Sequence, residues 1–378
     1  MNTHRRRRVL IVQPYVTRYR VPFFRQLTAD LAAHGVELTV AHGAPYGGLP
    51  ARGDAAVLDG AVRLSQRVLH LGPRALVWRR LQAHASCADV VVLEQAMHNL
   101  DSYPLLLDPR TSPSVALWGH GRTFNRSTGM LSRAAKRCFT RRADWFFSYT
   151  RGGADHLVAD GFPADRVTVV NNATDTAPLR AAREDVTGEQ AARFAADHGL
   201  VPERTVLFLG SLDASKRIAF LLQAVQHAAR LLPGFTLLVA GDGPQRPMVE
   251  AAAAASGSVV YLGPVFDRQR ALLGSVSRLM LMPGMVGLCA VDSFALRTPL
   301  VTTHWPLHSP EFEYLQDGRN SLIVAGDPEG YAEGVVRALS DPALLERLRQ
   351  GCVADADRYT IEGMSRRFAD GVLAMCAG

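Results

Sequence analysis

The sequence predicts an α/β protein of two Rossmann-like, doubly wound parallel-sheet domains facing each other across a cleft. The chain has 378 residues, beyond the roughly 250 to 300 at which one hydrophobic core stops growing. Short apolar runs of strand length alternate with longer stretches of helical periodicity, the pattern of βα units wound around a parallel sheet. The alternation starts afresh in the second half of the chain, which divides it in two.

In the first half the strand-like runs are Val9 to Val12, Val36 to Val40, Val90 to Leu93, Val115 to Trp118, Trp145 to Tyr149 and Val167 to Val170. In the second they are Val206 to Leu209, Thr236 to Val239, Val259 to Leu262, Leu279 to Met282, Leu300 to Thr302 and Leu322 to Val324. Between them, the polar and Ala-rich stretch from Ala173 to Pro202 reads as a linker containing a helix. The expected domains are therefore residues 1–190 and 191–360. A last helical pattern, 361–378, is expected to pack back on the first domain. Ligands of such sheets bind at the carboxyl ends of the strands, so the loops there are where functional residues are sought.

Hydrophobic residues make up 48% and charged residues 20% of the chain, which describes a globular protein and excludes a disordered, collagenous or disulfide-built one. The formal charge of +7 suits an anionic partner. Cys87, Cys138, Cys289, Cys352 and Cys376 show no paired spacing, so reduced thiols are expected. The Arg run before Val9 is followed by too short an apolar stretch for a secretory leader, and no run is long enough to span a bilayer. These features favour a cytoplasmic protein with, at most, peripheral contact at the inner face of the membrane. Arg133, Lys136, Arg137, Arg141 and Arg142 could make such contact with anionic lipid, or could form an ordinary solvated face.

The most informative stretch runs from Met282-Pro-Gly284-Met-Val-Gly287-Leu288 through Asp292 to Pro299. A strand ends in a Gly-containing turn that opens a helix, so free N–H groups and the positive end of the helix dipole meet near Gly287 and Leu288, forming a seat for an anion. Asp292 follows early in that helix, where a carboxylate can accept hydrogen bonds from sugar or ribose hydroxyls. Upstream, Gly210-Ser211-Leu-Asp-Ala-Ser-Lys216-Arg217 delivers two cations from a strand end to a helix start. In the first half, Trp118-Gly-His120-Gly-Arg122 sets a histidine between glycines just past a strand, where an imidazole is open to a ligand. The loop after the first strand lacks the Gly-rich phosphate cradle of a dinucleotide-binding fold, which counts against a dehydrogenase.

These motifs resemble those of the retaining glycosyltransferases of family 4, whose two-domain fold is called GT-B. The segment around Gly287-Leu288 is similar to that family's Glu-Gly-Phe-Gly-Leu followed by Glu-Ala, in a Pro-Gly-x-x-Gly-Leu variant. The resemblance puts Asp292 at the ribose-binding glutamate and Gly284 where the family has its sugar-binding glutamate. Lys216 matches the family's diphosphate-binding lysine. Ser211 stands where the family has an arginine, a loss that Arg217 could offset. Gly241 and Gly243 resemble the family's Gly-Asp-Gly-Pro turn, and Val265 its base-reading loop. Glu311, in His308-Ser-Pro-Glu, resembles a cleft carboxylate, and His120 the histidine that contacts the donor sugar. The family usually has glycine where Arg297 stands.

The resemblance implies a glycosyltransferase acting on a nucleotide-diphosphate sugar, UDP-sugar before GDP-sugar, and a hydroxyl acceptor that is a glycan, a lipid-linked sugar or a small molecule. His120, Lys216 and Arg217 are then the catalytic candidates. Ser211, Gly241, Gly243, Val265, Gly287, Leu288, Asp292 and Glu311 are the donor-binding ones, and Arg20, Glu94 and Arg122 lie on the acceptor side. Neither a metal nor another cofactor is expected, and no nucleic acid partner. An epimerase of the same fold, or a non-catalytic nucleotide-sugar-binding subunit, would carry similar motifs.

Overall fold

The computed structural model describes residues 6–47, 53–72, 74–108, 113–121 and 130–377. The chain divides into two compact units, Met1–Asp175 with Ile361–Gly378, and Thr176–Thr360.

The first unit contains β1 (Arg7–Gln13), α1 (Val21–Ala33), β2 (Val36–His42), β3 (Val62–Arg63), β4 (Gln66–Leu71), β5 (Arg74–Arg79), α2 (Gln82–Ala85), β6 (Val90–Glu94), α3 (Ser102–Leu107), β7 (Ser114–Gly119), α4 (Met130–Thr140), β8 (Trp145–Ser148), α5 (Arg151–Ala159) and β9 (Val167–Val169). Seven of the strands form a sheet in the order β3-β2-β1-β6-β7-β8-β9, every pair parallel. Its order reverses between β1 and β6, the switch point at which ligands of such sheets collect. Alternation along β1 shows how the sheet is buried on both faces. Val9 and Ile11 enter a core with Phe23, Phe24 and Leu27 of α1, whereas Leu10 and Val12 enter another with Leu105, Phe139 and Leu157. β4 and β5 form a separate antiparallel hairpin that has no counterpart among the predicted strands.

The second unit contains α6 (Ala177–Asp185), α7 (Gly188–Asp197), β10 (Thr205–Leu209), α8 (Ile218–Leu231), β11 (Thr236–Ala240), α9 (Arg246–Ala255), β12 (Val259–Gly263), α10 (Asp267–Val276), β13 (Leu279–Leu281), α11 (Cys289–Leu296), β14 (Leu300–Thr303), β15 (Ser321–Val324), α12 (Pro328–Leu339) and α13 (Pro342–Ala356). Its sheet has the order β12-β11-β10-β13-β14-β15, again parallel, with the switch point between β10 and β13. The loops that follow these two strands are therefore neighbours. The linker expected around residue 190 is two helices, and both belong to the second unit. The Thr187 hydroxyl accepts from Gln190 N–H, and the Gln190 side chain in turn accepts from Thr187 N–H, a capping box that sets the start of α7.

The last helix, α14 (Ile361–Ala377), is part of the first unit. Phe368 stacks on Phe147 with centroids 3.9 Å apart and meets Trp118 and Phe23 edge-on. The Ser365 hydroxyl donates to Asp30 of α1.

Candidate functional site

The loops after β10 and β13 are joined by hydrogen bonds. Met285 N–H donates to Ser215 O at 2.8 Å, and Lys216, a residue only 9% exposed, donates from its ammonium to Met285 O at 2.6 Å. Gly284 lies at the closest approach: a Cβ there would overlap Ser215 O and sit 2.7 Å from Lys216 Cα. No side chain fits at this position without the two backbones parting. Lys216 thereby sits beside the turn that opens α11. The first intrahelical donor there is Ala290 N–H, bonded to Gly287 O, so the amides of Gly287, Leu288 and Cys289 precede the helix ladder at its positive end.

His308 fixes this turn from the β14 side. Its Nδ1 accepts from Val286 N–H at 3.0 Å, which leaves the Nε2 proton for Thr303 O at 2.8 Å, and its ring stacks on Phe312 at 4.0 Å. Burial pulls the imidazole below its ordinary pKa, with His304 and Lys216 adding to the effect and the bond to Thr303 opposing it. Glu311 is 4% exposed in the short helix Pro310–Tyr314, and its Oε2 lies 3.9 Å from where a Cβ of Gly287 would be. Lys216, Gly287, Leu288, His308 and Glu311 thus converge on one turn.

Asp292 stands in the first turn of α11, where Arg270 Nη2 from α10 binds its Oδ2 at 2.6 Å. Gly241 and Gly243 pack against the carbonyls of Gly210 and Leu212, which brings the loop after β11 against the Lys216 loop. Val265 follows β12, next to Phe266, whose ring is 66% exposed. Ser211 Oγ donates to Asp213 at 2.6 Å and so serves the loop itself. Burial works to raise the Asp213 pKa, but hydrogen bonds from Ser211 and Ser215 and the Lys216 charge outweigh it and hold the carboxyl low.

Arg217 departs from expectation. It adopts φ +55° at the N-cap of α8. The guanidinium donates to Pro283 O, Thr303 Oγ1 and Gly326 O and lies over Phe220 at 3.9 Å and Trp305 at 4.6 Å. Its donors serve the β13, β14 and β15 loops, so it does not stand in for the arginine missing at Ser211. Arg297 is also left-handed, at φ +58°, where the helix C-terminus favours glycine, and its side chain binds Glu184 of α6 at 2.9 Å.

In the first unit, His120 is exposed at the end of β7 with its ring 4.8 Å from Tyr149. Gly121, at φ +72°, holds this position because a Cβ would overlap Gly153 O. Glu94 accepts from Asn99 Nδ2 at 3.1 Å. Near it Tyr46 Oη lies 2.8 Å from His98 Nε2, and burial, with the Glu94 charge, pushes the Tyr46 pKa up to about 12. Arg20 is not an open acceptor-side group. It is 4% exposed, donates to Asn172 Oδ1 at 2.7 Å and lies over the Trp118 and Tyr149 rings. Arg122 lies outside the described residues. An Asp-x-Asp pair does occur at Asp355 and Asp357, but Asp355 is bound by Arg319 and Asn320, and Asp357 by Arg180.

Arg270 and His308 carry no site role in the sequence reading. His308 stood within a quoted motif, whereas nothing in the spacing of Arg270 and Asp292 shows that two separate helices bring them together.

Residues 203–341 match the family model described as Glycosyl transferases group 1. Two curated relatives come from Streptomyces kanamyceticus. The alpha-D-kanosaminyltransferase is 25% identical over 65% of this chain and 64% of its own length. The 2-deoxystreptamine glucosyltransferase is 30% identical over 63% and 62%. The chain thus spans a little under two thirds of these relatives. A glycosyltransferase structure from Rickettsia africae superposes with a TM-score of 0.73 at 12% identity, covering 99% of each chain. Anabaena HepE in complex with UDP-glucose gives 0.67 at 14%, covering 97% of this chain and 99% of that one. The fold is therefore that of the GT-B glycosyltransferases, and the match to the group 1 model lies within the second unit.

Proposed function

We propose that the chain is a glycosyltransferase that moves a sugar from a nucleotide-diphosphate sugar, UDP-sugar before GDP-sugar, to a hydroxyl of a glycan, lipid-linked or small-molecule acceptor. The observation that carries this is the joined turn at Lys216, Gly284 and Gly287, where an ammonium and the amides opening α11 sit side by side at a sheet switch point. An anion with the spread charge of a diphosphate suits that seat. The two Streptomyces relatives, named for glycosyl transfer, and HepE, whose structure holds UDP-glucose, support the reading.

In this mechanism the departing diphosphate gathers negative charge as the sugar bond breaks. Lys216 and the α11 amides are already oriented toward it, so they stabilise the transition state without reorganising. A metal is not required for that step. Retention follows if the leaving phosphate takes the acceptor proton on the face it departs from. Asp292 holds the ribose and Val265 the base. Glu311 braces the turn at Gly287.

Among the described residues no helix is long and apolar enough to cross a membrane. A cytoplasmic location with peripheral membrane contact remains part of the proposal, supported by the basic residues of α4.

The test is incubation of the purified protein with UDP-sugars, EDTA and a panel of aminated and neutral polyol acceptors, with the product anomer read by NMR. An α-linked product from an α-linked donor supports the whole reading. An inverted product removes the retaining step, and isomerised donor without acceptor would favour an epimerase. Transfer that needs a second protein would mark a donor-binding subunit.

A further inference from the structure

The pair formed by Arg270 and Asp292 goes beyond this reading while resting on it. Asp292 is one methylene shorter than the glutamate it resembles, and its carboxylate is bound on one oxygen by Arg270 at 2.6 Å. Both side chains are 22% exposed, so the pair is neither buried inside the unit nor free in solvent. Arg270 lies on α10, the helix that follows the Val265 loop, and Asp292 on α11, next to the anion seat. A nucleotide with its diphosphate on Lys216 and its base at Val265 would pass its ribose between those two points.

We propose that Arg270 and Asp292 together read the ribose diol, so that the site prefers ribonucleoside diphosphates to their 2′-deoxy counterparts. A carboxylate only accepts hydrogen bonds and a guanidinium only donates them, whereas each ribose hydroxyl can do both. Asp292 alone offers acceptors, and the Arg270 guanidinium set beside it adds a donor. The pair therefore presents both kinds of partner to two adjacent hydroxyls. Removing the 2′-hydroxyl leaves one member of the pair unmatched as the nucleotide displaces water, and unmatched polar groups are what give such sites their discrimination. The ion pair also fixes the Asp292 rotamer before the nucleotide arrives, which lowers the ordering cost of binding. Arg270 is in this sense a specificity-determining residue, and the lost methylene at Asp292 is matched by a second side chain.

The experiment measures dissociation constants by calorimetry for UDP and 2′-deoxy-UDP, and for GDP and 2′-deoxy-GDP, with the wild type, Arg270→Ala, Arg270→Lys and Asp292→Asn. The thermal transition of each variant is recorded to confirm folding. The wild type is expected to prefer the ribonucleotide of the bound pair by about tenfold or more. Arg270→Ala and Asp292→Asn should bring that ratio to within about threefold, mainly by weakening the ribonucleotide, and Arg270→Lys should keep part of it. A wild type without preference overturns the proposal. So does an unchanged ratio in Arg270→Ala with a lowered thermal transition, which would make the pair a brace between α10 and α11. Failure of the folded wild type to bind any of the four nucleotides overturns the donor-site reading itself, and this inference with it.

Discussion

His308 connects the protonation state of one side chain to the geometry of the anion seat. Its neutral ring accepts from Val286 N–H, and burial holds its pKa below the ordinary value. A group with a depressed folded pKa of this kind contributes stability that is complete above the unfolded value of about 6.5 and is lost as pH falls through the folded value. Protonation turns Nδ1 into a donor facing Val286 N–H. Acidification below pH 6.5 is therefore expected to lower the thermal transition of the second unit and weaken nucleotide binding together. His308→Gln should show a smaller acid loss than the wild type, measured as the difference in Tm between pH 7.5 and pH 5. Equal losses in the two proteins would assign the acid effect to other groups.

Part of this arrangement was legible residue by residue. Lys216, Gly287, Leu288 and Glu311 were named from the sequence, and they meet at one turn. The role of Arg217 was not legible, because a left-handed backbone angle decides which way its side chain leaves the loop, and charge at a given spacing says nothing of that. Arg20 was misplaced for a related reason. Its loop is at a strand end, but a guanidinium among aromatic rings is held by packing.

At the scale of elements, the loops after β10 and β13 behave as one piece. Introducing by Gly284→Glu the glutamate of the motif that this turn resembles should not improve nucleotide binding. The new Cβ would collide with the Ser215–Lys216 backbone, and overpacking of this kind costs about 1–3 kcal/mol. The expected result is a lower thermal transition and weaker UDP binding, since Lys216 loses its hold on Met285 O. A Gly284→Glu protein that is stable and binds UDP more tightly would show that the backbones part readily. Strand positions were easier to see than such contacts: every apolar run named from the sequence falls on a strand, with Tyr149, Val170 and Met282 each one residue past its end. The hairpin of β4 and β5 escaped notice because its outward residues include Leu69, Leu71 and Trp78, which remain exposed and so break the usual alternation.

At the scale of the whole molecule, the chain builds a core on each face of the first unit's sheet and one core in the second unit, and ends in a helix that belongs to the first. The helix of α14 could be anticipated from its periodicity, but its partners could not, since Phe147, Trp118 and Phe23 come from three separate elements. Phe368→Ala is expected to cost about 3–5 kcal/mol, the range for deleting a large buried aromatic side chain. Hydrogen exchange should locate that loss in β1, β6 and β7 and leave protection in β10 and β11 at its wild-type level. Equal loss in both units would mean that α14 supports more than the core it is packed in.

The central claim is that Lys216 and the start of α11 form a diphosphate seat, and calorimetry of UDP and GDP with the wild type and Lys216→Met, in EDTA, tests it most directly. A charge-assisted hydrogen bond contributes about 1.5–3 kcal/mol. The account therefore predicts binding of at least one of the two nucleotides by the wild type that survives EDTA, weakened tenfold or more in a folded Lys216→Met protein. Equal affinity in the two proteins, or no binding by the wild type, would contradict it.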